Sequence, residues 1–268
     1  MTECRYRVED VDIDAPLGAH LPRPFGRTQS NAYERAHVAF ARELRADAFV
    51  TGNGGDNVFV VGTFAGTADL DPLWTSSDTQ SNGRDDIFVS VMTQFGESRY
   101  QTHVGGTGNE SNAKVLAQLD GAFYVSGEFA ETIELDTFNN GQNVASQGGR
   151  DLFIVRFGPA PGRNFEWGFG IGGAQTESLA GLAMDGFGSV YMLGTFGDRV
   201  DFDPSDAAAE LTSSGAADIF LAKYAPWGQF RQVQGMINPQ DDRASDIAIH
   251  TSNNVLIGGE FSGTIDLG

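Results

Sequence analysis

The sequence predicts an all-β protein, a β-propeller of four-stranded antiparallel blades with about 65 residues per repeat, and three observations carry that prediction. The block Gly62-Thr63-Phe64 recurs as Gly127-Glu128-Phe129, Gly194-Thr195-Phe196 and Gly259-Glu260-Phe261, at intervals of 65, 67 and 65. A second landmark, Asp86-Ile87-Phe88, recurs as Asp151-Leu152-Phe153 and Asp218-Ile219-Phe220 with the same 65 and 67 spacing. The runs before the Gly-x-Phe block, such as Val58-Phe59-Val60-Val61 and Val190-Tyr191-Met192-Leu193, are apolar at every position. A strand with one wet face alternates; these need cover on both faces, which sheets packed around a ring provide. A β-solenoid is the competing architecture, but its coils are usually much shorter than this period.

The elements follow in order. Residues 6–46 read as a half-blade: Val11-Asp12-Ile13-Asp14-Ala15-Pro16 looks like a connector, and Asn31-Ala32-Tyr33 with Val38 to Leu44 like third and fourth strands. In the blade over 47–105, Asp47 to Thr51 and Asn57 to Phe64 form a first hairpin, Thr67 to Pro72 a connector, and Asp86 to Met92 with Arg99 to Val104 a second hairpin. The blade over 111–173 repeats this with Asn112 to Leu119, Ala122 to Phe129, the connector Thr132 to Asp136, Asp151 to Phe157 and Phe165 to Ile171. The clearest copy, 177–235, has strands Leu179 to Asp185, Ser189 to Phe196, Asp218 to Tyr224 and Phe230 to Gln234. Its turns are Asp185-Gly186-Phe187-Gly188 and Pro226-Trp227-Gly228, and its connector is Arg199 to Pro204. Ala183 and Ala248 in the first strands suit a narrow region near an axis.

Residues 242–268 hold a first hairpin, Ser245 to His250 and Asn254 to Phe261, and end inside the connector at Gly268. Two outcomes are expected for the complementary halves. They pair into a composite blade that closes a four-bladed ring, or the chain is a slice of a longer array; the connector present at both ends favours the slice.

With 17 basic against 36 acidic residues the net charge is -19, a surface that repels phosphate backbones and anionic lipid heads. Nucleic acid is therefore not expected as a partner, nor is membrane insertion, since no apolar run approaches a spanning length. No signal peptide is read at the N-terminus, where Glu3, Glu9, Asp10, Asp12 and Asp14 interrupt any apolar stretch. The single cysteine, Cys4, excludes an internal disulfide and a cysteine zinc site.

Asp218-Ile219-Phe220-Leu221-Ala222-Lys223-Tyr224, Gly194-Thr195-Phe196 through Val200-Asp201-Phe202-Asp203-Pro204, and the Gly105-Gly106 and Gly172-Gly173 steps after the fourth strands resemble the bacterial SBBP β-propeller repeat. The resemblance spans about residues 11–268 and is strongest from 56 onward; Gln234-Gly235-Met236 departs from the Gly-Gly step, and the copy at 31–51 lacks it. It implies a bacterial protein, extracellular or at the cell surface, that serves as a non-enzymatic binding or scaffold module, and it brings no catalytic residues.

Paired aspartates in the connectors, Asp69 with Asp71, Asp201 with Asp203 and Asp12 with Asp14, place two carboxylates on one side of a strand and are the candidates for calcium. The structural alternative is a solvated strand edge that resists edge pairing. No other cofactor is expected. His20, His37, His103 and His250 show no metal-ligand spacing, and His250 occupies a turn position held elsewhere by Asp120 and Asp185. Gly168 to Gly173 lacks the following helix that a phosphate cradle needs, and no Gly-x-Ser-x-Gly elbow is present. Trp74, Trp167 and Trp227 are candidates for sugar or peptide stacking. Thr63, Glu128, Thr195 and Glu260 alternate at one repeat position for no reason visible in the sequence.

The expected function is recognition of a protein or glycan by loops that differ between copies, Gly108 to Ser111, Gln175 to Ser178 and Asn238 to Asp242, on a constant frame. The alternatives are a calcium-binding structural propeller, or an enzyme using carboxylates at the propeller mouth as acid and base, which requires a non-recurring carboxylate cluster at the channel with a buried, pKa-shifted member.

Overall fold

The computed structural model describes residues 46–51, 57–70, 78–93, 98–136, 141–159, 162 and 164–264; among them are eighteen strands and no helix. The first sheet contains β1 (Ala46–Thr51), β2 (Asn57–Asp69), β3 (Asp78–Thr93) and β4 (Ser98–Gly106). Next come β5 (Ser111–Ala117), β6 (Phe123–Phe129), β7 (Thr132–Glu134), β8 (Asn143–Ala145), β9 (Asp151–Phe157) and β10 (Phe165–Ile171), of which β5, β6, β9 and β10 form the second sheet. The third sheet is β11 (Ser178–Met184), β12 (Val190–Phe196), β15 (Asp218–Tyr224) and β16 (Phe230–Met236), with β13 (Arg199–Asp201) and β14 (Glu210–Thr212) forming a separate ribbon. β17 (Arg243–Ile249) and β18 (Val255–Glu260) pair as a two-stranded sheet. All named pairings are antiparallel. Apart from Ala46, which opens β1, the expected half-blade over 6–46 lies outside the described residues, as do 265–268.

The two sequence landmarks are cross-strand partners. Gly62 faces Phe88, Gly127 faces Phe153 and Gly194 faces Phe220, while Phe64, Phe129 and Phe196 stand opposite Asp86, Asp151 and Asp218. The phenylalanines of the two landmarks then meet edge to face, with centroids at 6.5, 6.3 and 6.4 Å and interplanar angles of 72°, 70° and 72°. Glycine is required beside them because a β-carbon on Gly127 or Gly194 would press on the third-strand ring and on the carbonyl of Ser111 or Ser178. Each of these rings is fully or almost fully buried, an effect of roughly 1.5–3 kcal/mol apiece.

The sheets stack face to face in series. Phe59, Val61, Val89 and Val91 of the first sheet pack on Phe123, Val125, Phe153 and Val155 of the second. The opposite face of the second, Tyr124, Leu152 and Ile154, packs on Met192, Phe220 and Ala222 of the third, whose own far side, Tyr191, Leu193 and Ile219, meets Ala244 and Ile247. This is why β6 is buried at every position: alternate residues face different neighbours. First strands of successive sheets lie against one another, β1 beside β5, β5 beside β11 and β11 beside β17.

The connectors differ from the solvated edge expected of them. Each folds into a short ribbon, β7 with β8 and β13 with β14, and the first sheet makes its version by extending β2 and β3. Apolar residues alternate with the acids and are buried: Leu70, Ile133, Leu135, Val200 and Phe202 all enter the core. The second and third ribbons also reach back to the preceding sheet, since Gly105 and Gly106 pair with Glu134 and Ile133, and Gly173 bridges Val200. A β-carbon on Gly106 would overlap the Thr132 carbonyl. The Gly-Gly step thus marks where one sheet's fourth strand meets the next sheet's ribbon.

Candidate functional site

An open cleft of about 460 Å³ lies between the ribbon loop after β13 and the turn joining β15 to β16, lined by Asp203, Pro204, Ser205, Ala207, Trp227, Gly228, Gln229 and Phe230. The turn at 225–229 closes through Gly228 N–H donating to the Ala225 carbonyl, and Gly228 takes a left-handed φ of 85° that leaves Trp227 at the tip. Trp227 is 63% exposed, and the Arg231 guanidinium lies 5.2 Å from its ring centroid. Trp167 behaves differently: its indole N–H donates to the Pro226 carbonyl at 3.1 Å, and its ring stacks on Phe169 at 5.6 Å. Trp74 lies outside the described residues.

Of the aspartates proposed for calcium, Asp201 Oδ1 accepts from the backbone N–H of Asp203 (3.0 Å) and Ala209 (2.9 Å), and Asp203 Oδ1 from Ser205 N–H (2.9 Å). These bonds hold the ribbon loop that forms one wall of the cleft. Asp69 closes the ladder of the first sheet opposite Asp78, while Asp71, Asp12 and Asp14 lie outside the described residues. Among the described residues no group of three or more acidic, histidine or cysteine side chains is placed to share a metal.

The loops expected to vary for recognition each contain one buried acid that sequence reasoning missed: Glu110, Glu177 and Asp242. Their spacing, 67 and 65, is the signal that finds them. Each is placed by its own N–H, which donates to the carbonyl of the residue just before the landmark aspartate, Asp85, Arg150 or Ala217, at 2.8, 2.8 and 2.9 Å. Each acid therefore stands beside the landmark aspartate of the preceding sheet. Asp86 Oδ2 accepts from Asn82 N–H and Glu110 Oε2 from Gly106 N–H; Asp151 Oδ2 and Glu177 Oε2 accept likewise from Gln147 and Gly173. The other oxygens, Asp86 Oδ1, Glu110 Oε1, Asp151 Oδ1 and Glu177 Oε1, are buried without a donor. Burial pushes Asp86 and Asp151 up to about 6. Burial, then the neighbouring aspartate, pushes Glu110 to about 8; burial, with Asp151 adding to it, raises Glu177 to about 8. These are shifted acids of the kind an acid and base mechanism would need, and all four are buried between sheets.

Glu128, the residue between the landmark Gly and Phe of the second sheet, joins that sheet to the third. Its Oε1 accepts from Asn112 Nδ2 (2.8 Å), Ser178 Oγ (2.9 Å) and Leu179 N–H (3.1 Å), and its Oε2 from Ser111 Oγ and Arg150 Nη1. Asn112, at a left-handed φ of 52°, donates also to the Leu179 carbonyl at 2.6 Å. The alternation at this position thus has a local cause at Glu128, whereas Glu260 at the equivalent place is exposed. His250 sits in the β17–β18 turn with Nδ1 2.8 Å from Ser252 Oγ, and burial lowers the pKa of His103. His20 and His37 lie outside the described residues.

No protein-family model matches the chain and no curated protein matches it, so no family is assigned and the likeness to the SBBP repeat rests on the quoted residues alone.

Proposed function

We propose that the stacked sheets are blades of a β-propeller and that the chain is a non-enzymatic binding module, its ligand a glycan held at the Trp227 cleft. One observation carries this. The recurring side chains are spent on joining strands and sheets, while Trp227, which does not recur, offers a large open aromatic surface beside polar groups. An indole face stacks on the C–H face of a sugar ring, and Asp203, Ser205 and Gln229 at the rim match hydroxyls. The contact of each first strand with the next, β1 with β5, β5 with β11 and β11 with β17, supports a common axis. An extracellular, bacterial setting follows only from the resemblance to the SBBP repeat.

Affinity electrophoresis through gels containing soluble polysaccharides tests the ligand. Wild type is retarded by at least one polysaccharide, Trp227→Ala is not, and Trp227→Phe keeps part of the effect. Equal retardation of wild type and Trp227→Ala moves the site elsewhere, and free migration in every gel ends the glycan assignment. Small-angle scattering tests the architecture, where an elongated stack in place of a compact disc ends the propeller.

A further inference from the structure

We propose that the buried carboxyl pairs Asp86 with Glu110 and Asp151 with Glu177 each hold one shared proton and act as inter-sheet staples that release when that proton is lost. The two pairs share one pattern of backbone partners; in the first the two carboxyls are in direct hydrogen-bond contact, and in the second Asp151 acts on Glu177 through its charge. In each pair one oxygen of each carboxyl accepts a backbone N–H, with the Gly83 amide also favouring the charged form of Asp86 and the Gly197 amide that of Glu177, and the remaining two oxygens, one per residue, are buried without another hydrogen-bond partner. A carboxylic acid facing a carboxylate supplies the missing donor, because one O–H then satisfies both open oxygens. Two ionised carboxylates in the same place would be two like charges removed from water, an arrangement that the site does not offset.

Among the described residues the surroundings supply no buried cation. Around the first pair the charged residues are Arg84 and Asp85 within β3 and Glu131 on the loop over Gly108. Around the second they are Arg150, next to Asp151 in the chain, and Asp198 and Arg199 by the ribbon over Gly173. Arg150 directs its guanidinium to Ser111 and Glu128. Asp85 adds its negative charge to the first pair and so favours the proton.

The third copy serves as an internal control. There the strand register puts Ile237-Asn238, and not the Gln234-Gly235-Met236 expected from the sequence, where the other copies have Gly-Gly, and the acids are Asp218 and Asp242. Asn238 N–H donates to Asp218 Oδ1 at 2.9 Å and its Nδ2 to Asp242 Oδ2 at 2.5 Å. An amide does in this copy what a proton does in the other two. The exchange is balanced: opening a staple releases one proton to solvent and leaves two carboxylates that hydrate only when the sheets part.

The sign follows from linkage. The folded chain keeps protons that the unfolded chain has given up, so the staples contribute fully below the ordinary carboxyl range and lose their contribution as pH rises through about 6 to about 8. The test is the melting temperature of the whole chain between pH 5 and 9, for wild type and for Glu110→Gln with Glu177→Gln, whose amides mimic Asn238. Wild type loses about 5 °C or more toward alkaline pH, and the double variant loses less than half as much. Infrared spectra at pH 7 give a reading that does not need the variant to fold, a protonated carboxyl C=O band in wild type that disappears by pH 9. A flat or rising wild-type melting profile, or absence of that band, overturns the proposal. So does a melting temperature that calcium alone restores at pH 9, since a cation would then occupy the gap.

Discussion

The carboxyl group of Asp151 occupies the space that a β-carbon on Gly172 would fill, and Asp86 stands in the same relation to Gly105. A conspicuous glycine is here the room left for a buried acid. The second glycine of each step makes room for something else, the ribbon of the next sheet, where a β-carbon on Gly173 would come 2.5 Å from the Arg199 carbonyl.

Gly105→Ala and Gly172→Ala should therefore each cost about 2–4 kcal/mol by forcing the aspartate out of place. Gly66 is the control: its φ of 71° disfavours alanine, but nothing lies within 4 Å of its β-carbon site, so Gly66→Ala should cost only about 1 kcal/mol. Urea midpoints of the three variants check the order.

Glu128→Ala leaves Leu179 N–H, Ser178 and Asn112 without their common acceptor and should lower stability by about 2–4 kcal/mol. Glu128→Gln keeps an acceptor oxygen and should cost less than half of that. Hydrogen exchange of the Leu179 amide reports the loss locally.

Phe196 and Phe261 hold the same landmark position but not the same environment. Phe196 is fully buried against Phe220 and Phe202, whereas Phe261 is 56% exposed. Phe196→Ala should cost about 3–5 kcal/mol and Phe261→Ala less than about 1 kcal/mol. Equal denaturant shifts would mean that a further strand covers Phe261.

Asp185 titrates in the opposite sense to the staples. Burial alone would raise it, but Lys223 at 2.9 Å and the amides of Ser189 and Phe187 outweigh that and hold its carboxyl below the usual range. Its contribution is present above the ordinary carboxyl range and lost as pH falls through the depressed one. Asp185→Asn should cost about 1–2 kcal/mol at neutral pH, a gap that closes in acid. Paired chemical melts at neutral and acid pH measure it.

Strand order and period were legible because they are local. The landmark glycines and phenylalanines, the unbroken apolar runs and the turn residues act within one hairpin, and β9, β10 and β15 begin and end near where Asp151 to Phe157, Phe165 to Ile171 and Asp218 to Tyr224 were expected. The ribbons were less legible: β8 and β14 are three-residue strands with no pattern of their own, held by partners. Of the site, Trp227 was visible as a turn aromatic, but its exposure and the wall built by Asp203 and Ser205 were not.

The amino-acid sequence by itself determined an all-β chain of repeated hairpins, since side-chain periodicity and turn chemistry act over a few residues. Only the tertiary structure decided which acids meet. Glu110 stands 24 positions from Asp86, and Glu128 reaches Leu179 across 51, so their encounters depend on how one sheet packs on the next. Burial at those contacts, a property of the assembled sheets and of no residue alone, is what turns ordinary carboxyls into the groups that hold the molecule together.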